Sequence, residues 1–528
     1  MPRILACDRV SVAGIELLRK SAEVVELGAP SEDELIAALA GCDGLIVRSA
    51  TKVTARVLEH APGLRVIARA GVGVDNIDVE AATRHGVLVL NSPGGNIIAA
   101  AEHTIALLLA AARNIAPADA SMKAGEFDRK RFVGRQVAGK TLGIVGLGKI
   151  GGEVARRAKG LGMELLVHDP YASPELVDGF GARLGGLEEL LRTSDFVTVH
   201  TPLTEETRGL IGAEELALLK PNAIVVNCAR GGIIDEAALI DALRSGRLAG
   251  AALDVFEGEP KANPELVGLP NVVATPHLGA STTEAQEAVA IDAAEQIVEV
   301  LAGRPPRTPV NVPALSPELL TQVRPMLVLA ARLGRLAGVL TTRAPREFSL
   351  VASSTTPDQG MPLIASWAVS RLLEGKTDGG LNEVSALLIA RERGIRVSYA
   401  VSGDDRGYSR SLEVQVHFAE DAYRLFGAVI EGSQPRILGI NGFSVDLAPE
   451  GEYMFLWKQN PRVPGFIGAI GSLLGEAGIG IASIEVGREE IEGLGLLAVR
   501  LHDPVPAEVR RAVLALDGVT RLEVVTFS

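Results

Sequence analysis

Three cysteines in 528 residues, Cys7, Cys42 and Cys228, are too few for a disulfide framework, and none stands in the paired spacing of a thiolate metal site. No metal is expected. Basic residues are also short: 52 Lys and Arg face 65 Asp and Glu, a formal charge of −13, with no dense cationic tract. That balance argues against nucleic acid or an anionic membrane as the main partner, so an anionic ligand must be met by local cations. Long uninterrupted apolar runs are missing as well. The most apolar helical stretch, residues 98–112, is short and broken by Glu102 and His103, and the first residues lack a signal-peptide pattern. The chain therefore reads as a soluble protein of a reducing cytoplasm.

What is present is enough apolar residue for several cores. At 47% hydrophobic content, and at about 100 to 200 residues per domain, three or four domains are expected. Residues 142–151, Leu-Gly-Ile-Val-Gly-Leu-Gly-Lys-Ile-Gly, run from a short β-rich segment into Gly146, Gly148 and Gly151, and 153–160 is patterned as helix. A second apolar run, 164–168, ends in Asp169. Strand, glycines, helix and acid in that order form a dinucleotide cradle. Gly146 permits the tight turn, Gly148 the approach of backbone to pyrophosphate, and Gly151 the contact of helix with strand, while the helix N-terminus attracts phosphate. Asp169 is placed to accept from the adenosine ribose hydroxyls. Its charge repels a 2′-phosphate, which favours NAD over NADP.

Strand and helix patterns alternate from the start, with strands near 3–7, 24–27, 44–47 and 66–68 and helices over 12–20 and 33–40. Because the cradle begins only after about 140 residues, these form a separate α/β domain. From Lys140 onward strands recur at 165–168, 196–200, 223–228, 250–253 and 272–274, the units of a doubly wound parallel sheet. A long helix over 284–301 leads back to the first domain and ends at a Pro-rich linker, residues 304–309. The texture then changes. Residues 317–340 read as an amphipathic helix followed by alternating stretches such as 412–418, and 451–528 reads as β-α-β-β-α-β, a ferredoxin-like split unit.

Ligands of open parallel sheets bind outside the carboxyl ends of the strands. Three such ends carry Arg230, Glu259 and His277, in Asn227-Cys228-Ala229-Arg230-Gly231-Gly232, Asp254-Val255-Phe256-Glu257-Gly258-Glu259-Pro260 and Thr275-Pro276-His277-Leu278-Gly279-Ala280. The other histidines, His60, His85, His103, His168, His200, His417 and His502, read as structural. With the cradle and Gly71-Val72-Gly73-Val74-Asp75-Asn76-Ile77-Asp78 upstream, these segments resemble the D-isomer-specific 2-hydroxyacid dehydrogenase family over residues 1 to about 312. The whole chain resembles the longest members, which oxidise 3-phospho-D-glycerate with NAD at the start of the phosphorylated route to serine.

The resemblance implies a Rossmann nucleotide domain (97–282) inserted in a flavodoxin-like α/β substrate domain (1–96 and 283–312). An α+β intervening domain (313–450) and a ferredoxin-like ACT domain (451–528) follow. It implies that Arg230 grips the substrate carboxylate, that His277 exchanges the C2 hydroxyl proton and that Glu259 orients His277. Cofactor contacts carry over to Val72, Gly146, Gly148, Lys149, Ile150, Gly151, Asp169, Thr201, Cys228, Ala229, Arg230, Asp254, His277, Gly279 and Ala280. Substrate contacts carry over to Arg48, Ser49, Gly73 and Asn96, with Arg129 and Arg131 reaching a neighbouring subunit's cleft. An amino-acid effector at the ACT domain and a homo-oligomer, dimer or tetramer, are also implied. Gly480 stands where relatives carry Asn, and Arg462 where they carry an acid, with Asn460 a candidate to rebuild that pocket. The intervening domain shows no constellation of its own and reads as scaffold, with Asp404 and Asp405 in a solvated loop. Two other readings are a dehydrogenase for a short D-hydroxy acid such as glycerate or hydroxypyruvate, and an NAD-sensing, corepressor-like binding protein. The latter would not require Arg230, Glu259 and His277 to be intact.

Overall fold

The computed structural model describes all residues except 341–344, 378–380, 404–405, 419–421, 460–463, 488–492 and 528, so Asp404, Asp405, Asn460 and Arg462 lie outside the described residues. Two parallel sheets build the first part. One has five strands in the order Glu23–Glu26, Arg3–Ala6, Gly44–Val47, Val66–Arg69, Leu88–Asn91. The central three are Val/Ile/Leu-rich and buried on both faces, as helix-covered parallel strands are. Its last strand was not anticipated from the pattern.

The second sheet has seven strands, in the order Val272–Ala274, Gly250–Leu253, Ile224–Asn227, Phe196–Val199, Thr141–Val145, Glu164–His168, Arg183–Leu184. The chain order reverses between Thr141–Val145 and Phe196–Val199, the crevice where doubly wound sheets bind nucleotides. Helix Ile97–Ala112 carries the chain into this sheet and buries Ala101, Leu107 and Leu108 against Ile144 and Val226. Helix Thr283–Leu301 carries it back and packs Ala290, Ala293 and Ile297 on Ile4, Val66 and Leu90. Among the described residues no single helix is long and apolar enough to cross a membrane.

The Pro-rich segment, expected as a spacer, is instead pinned to the first sheet. Val310 N donates to Val89 O at 2.8 Å. The Asn311 amide bonds Val89 N and Val87 O, both at 2.9 Å. The edge strand Leu88–Asn91 offers unpaired backbone groups on that side, and the linker satisfies them.

Beyond it, helices Pro317–Leu340 and Met361–Leu372 pack together, so closely that a Cβ on Gly334 would lie 2.0 Å from Ala368 O. They lie against a mixed six-stranded sheet, ordered Arg396–Ser402, Glu347–Ser353, Ser411–His417, Ala422–Ile430, Gln434–Ile440, Phe443–Leu447. The last sheet is antiparallel, ordered Ile481–Val486, Leu494–Leu501, Gly451–Gln459, Val519–Phe527, with helices Phe466–Glu476 and Ala507–Leu514 on one face. Its other face, Tyr453, Phe455, Trp457 and Phe527, shares one core with Leu327, Leu333 and Phe443 of the preceding unit.

Candidate active site

The cradle follows strand Thr141–Val145. Gly146 has φ +94°, a left-handed backbone that disfavours any side chain, and a Cβ there would lie 2.8 Å from His200 O. A Cβ on Gly151 would lie 2.2 Å from Gly146 O, so helix Lys149–Gly160 rides directly on the turn. Gly148 faces open space, and as the N-cap residue it provides no side-chain cap, which leaves first-turn N–H groups, those of Lys149 and Ile150 among them, free for a phosphate. Asp169 accepts from Leu147 N at 2.7 Å and Tyr171 N at 2.8 Å, so it braces the turn beside which a ribose would sit. Thr201 Oγ1 is buried and has no partner among the described residues, a polar group awaiting one. Burial pushes the Cys228 thiol up to about 12, with the Thr104 hydroxyl opposing and Asp254 adding to the rise, so it is a neutral neighbour and no nucleophile. These features fit a dinucleotide.

Three strand-ending loops face the cradle. After Ile224–Asn227 the Asn227 side chain ties its own turn, donating to Arg230 O and accepting from Ala229 N, both at 2.9 Å. Arg230 Nη1 donates to Ala229 O, its Nε is 3.6 Å from the Asp75 carboxylate, and a Cβ on Gly73 would lie 2.3 Å from Arg230 Nη2. The guanidinium thus reaches from the cofactor sheet to loop 71–76 of the first. Glu259 accepts from Phe256 N at 3.0 Å and sits 2.7 Å from His277 Nδ1. Burial pushes the Glu259 carboxyl up, but the bonds from His277 and Phe256 N outweigh it and hold the group below the usual carboxylate range. A carboxylate only accepts, so His277 Nδ1 carries the hydrogen and Nε2 of the neutral ring keeps a lone pair for a substrate proton.

His277 itself has φ +56°, and its N–H donates to Asp254 O at 2.9 Å. The Asp254 carboxylate is buried and accepts from Thr275 Oγ1 (2.6 Å), Leu278 N (2.7 Å) and Gly279 N (2.8 Å). It shapes the loop that carries His277, with Ala280 following.

On the opposite wall, Val72 O accepts from Asn91 Nδ2 at 2.7 Å, and the backbone of Arg48 is held by Asp8 and Asn76, both at 2.8 Å. Ser49 is exposed beside it. Asn96 precedes helix Ile97–Ala112 without a side-chain capping bond and keeps a buried Oδ1 without a partner among the described residues. Arg129 and Arg131 do not join this group. They lie in an exposed loop where Asp128 bonds the Arg131 backbone and Arg131 Nη1 is 3.7 Å from Glu126.

One cation escaped the sequence reading. Arg69 ends strand Val66–Arg69; its Nε is buried without a partner among the described residues, and burial, helped by the nearby Arg230 and Arg48 and opposed by Asp75, lowers its pKa. Its signal was an arginine at the carboxyl end of a buried apolar strand.

The profile of the D-isomer specific 2-hydroxyacid dehydrogenase NAD-binding domain matches residues 105–279, and that of the D-3-phosphoglycerate dehydrogenase intervening domain matches 322–441. A D-3-phosphoglycerate dehydrogenase of Synechocystis sp. is 42% identical over 521 residues, covering 98% of this chain and 94% of its own. That of Methanocaldococcus jannaschii is 41% identical, covering 99% of this chain and all of its own. This chain belongs to the D-3-phosphoglycerate dehydrogenase family. It is an NAD-dependent oxidoreductase. A crystal structure of a Thermus thermophilus protein, 38% identical, superposes on 58% of the chain and 99% of its own with a TM-score of 0.54. The architecture of this dehydrogenase, parallel sheets with a nucleotide crevice followed by an intervening unit, is that of its relatives.

One buried histidine gives this dehydrogenase a measurable acid sensitivity. Burial holds His200 down to about 4, with Nε2 3.0 Å from Thr198 Oγ1. Below the ordinary histidine value the unfolded chain binds a proton that the folded chain refuses, so stability falls as pH drops from about 6.5 to about 4, by at most about 3 kcal/mol. The depressed carboxyls of Glu259 and Asp254 add losses of the same sign as pH falls further. Thermal unfolding between pH 7.5 and 5 should show this slope, and His200→Gln should flatten it; equal slopes would refute the assignment.

Proposed function

We infer that this protein oxidises C2 of 3-phospho-D-glycerate to give 3-phosphohydroxypyruvate, the entry step of the phosphorylated route to serine. The observation that carries the reading is the pairing of the His277–Glu259 dyad with a cluster of Arg230, Arg48 and Arg69. A carboxylate brings one negative charge and a phosphate monoester about two, which three guanidiniums match. An unphosphorylated hydroxy acid would leave two of them uncompensated in a partly buried cleft, which favours the phosphorylated substrate over glycerate.

NAD bound in the cradle supplies the hydride acceptor. Arg230 binds the substrate carboxylate bidentately and polarises the C2 oxygen, a task for which a planar, permanently charged group is suited. His277 Nε2 takes the C2 hydroxyl proton as the C–H bond breaks and the carbonyl forms, and Glu259 stabilises the resulting imidazolium. Arg48 and Arg69 hold the phosphate, and the orphaned Asn96 Oδ1 accepts from a substrate hydroxyl.

The exposed apolar residues Ile98, Ile115, Met122, Phe127 and Val133 lie on helices Ile97–Ala112 and Ile115–Lys123 and the loop after them. A second copy of the chain covers them in this reading, bringing Arg129 and Arg131 to the neighbour's cleft. The terminal split unit is read as an ACT-type module whose cavity of about 260 Å³, lined by Lys458, Gly465, Phe466 and Val486, takes an amino-acid effector. Three thiols, none in a disulfide, accord with a cytoplasmic home.

Three measurements test the reading. Turnover with NAD should favour 3-phospho-D-glycerate over D-glycerate, and Arg48→Ala or Arg69→Ala should raise KM for the former far more than for the latter; equal losses would refute phosphate contact. His277→Asn should cost about two or more decades in kcat while NADH still binds, and retained turnover would remove His277 from the chemistry. Light scattering should report a dimer or tetramer that Phe127→Glu with Val133→Glu reduces to a smaller species, whereas an unchanged mass would move the interface elsewhere.

A further inference from the structure

We propose that His103 is a positioning residue: from the crossover helix it fixes the Asp254 carboxylate, and through it the loop that presents His277. The inference rests on the assignment of His277 as acid–base above. Among the described residues, His103 is the one from a distant part of the chain to enter the Asp254 cluster, separated from it by 151 positions. Its Nε2 is 3.1 Å from Asp254 Oδ1 and 3.1 Å from Thr275 Oγ1. Facing a carboxylate that can only accept, Nε2 carries the hydrogen and is shared between the two oxygens. Thr275, Leu278 and Gly279 are themselves members of the loop, so their bonds move with it, whereas the bond from His103 ties the loop to an external frame.

That frame is helix Ile97–Ala112, whose first residues leave the substrate sheet at Asn96. The tie matters because His277 holds a left-handed backbone, a conformation that costs roughly 1–2 kcal/mol and persists only where surrounding contacts over-determine it. Bonds from His103, Thr275 and Leu278 also keep the Asp254 carboxyl below its usual range although burial pushes it up.

The test exploits amide geometry. A Gln amide nitrogen overlays imidazole Nε2, and an Asn amide nitrogen overlays Nδ1, so at position 103 only Gln can reach Asp254. His103→Gln should keep kcat within about twofold of the parent, while His103→Asn should lose about tenfold in kcat with KM for the hydroxy acid little changed. The deuterium isotope effect with 2-deuterated substrate should rise in the Asn variant alone, because the chemical step has slowed. Equal behaviour of the two variants, or a loss confined to KM, would overturn the proposal, and unfolding curves of both show whether folding is intact. Whichever D-hydroxy acid the parent turns over serves for the comparison. Failure on 3-phosphoglycerate would thus count against the substrate reading alone, and failure of the Gln/Asn contrast against His103 alone.

Discussion

Asp254 is the constraint on which the His277 side of the cleft depends. A buried carboxylate with no partners would cost several kcal/mol, and here the cost is offset by donors from Thr275, Leu278, Gly279 and His103. Those donors can converge only if the chain after Val272–Ala274 bends back over the end of Gly250–Leu253, and that bend turns His277 toward Glu259. The acid expected as a cofactor contact is also, in the fold, the post around which the loop is wound. The His277 imidazole inherits its orientation from a buried charge.

The opposite wall obeys a different electrostatic rule. The chain carries a net charge of −13, yet Arg48, Arg69 and Arg230 gather where two sheets present their carboxyl ends. Asp75, exposed and 3.6 Å from Arg230, and Asp8, which acts on Arg69, offset only part of this charge. An excess of positive potential is thus confined to the cleft within an acidic chain, an arrangement that focuses an anion onto it.

Much of this was legible in the residues because it depends on local backbone chemistry. Gly146 and Gly151 occupy positions that a Cβ would close, and Asp169 ends the next strand, so the cradle could be read from one segment. Arg230, Glu259 and His277 were legible as strand-ending loops of one parallel sheet. Arg69 was not, because an arginine closing an apolar strand looks like any strand terminus until the second sheet is brought opposite. His103 read as structural, since its partners lie 151 and 172 positions away. The pinned linker was missed for a similar reason: the Asn311 bonds form only when edge strand Leu88–Asn91 is already in place.

The aromatic face of the terminal sheet has a bearing on how such chains are assembled. Alternation along Gly451–Gln459 sends Tyr453, Phe455 and Trp457 toward the preceding helices and sheet, and Met454 and Leu456 toward the sheet's own helices. A sheet buried on both faces is no loose bead on a string. Recombination that delivered the last unit without its predecessor would bare a sticky aromatic plate, and the predecessor alone would present the matching hollow. In this chain the two segments therefore stand or fall together, each covering apolar surface that the other would otherwise leave to water.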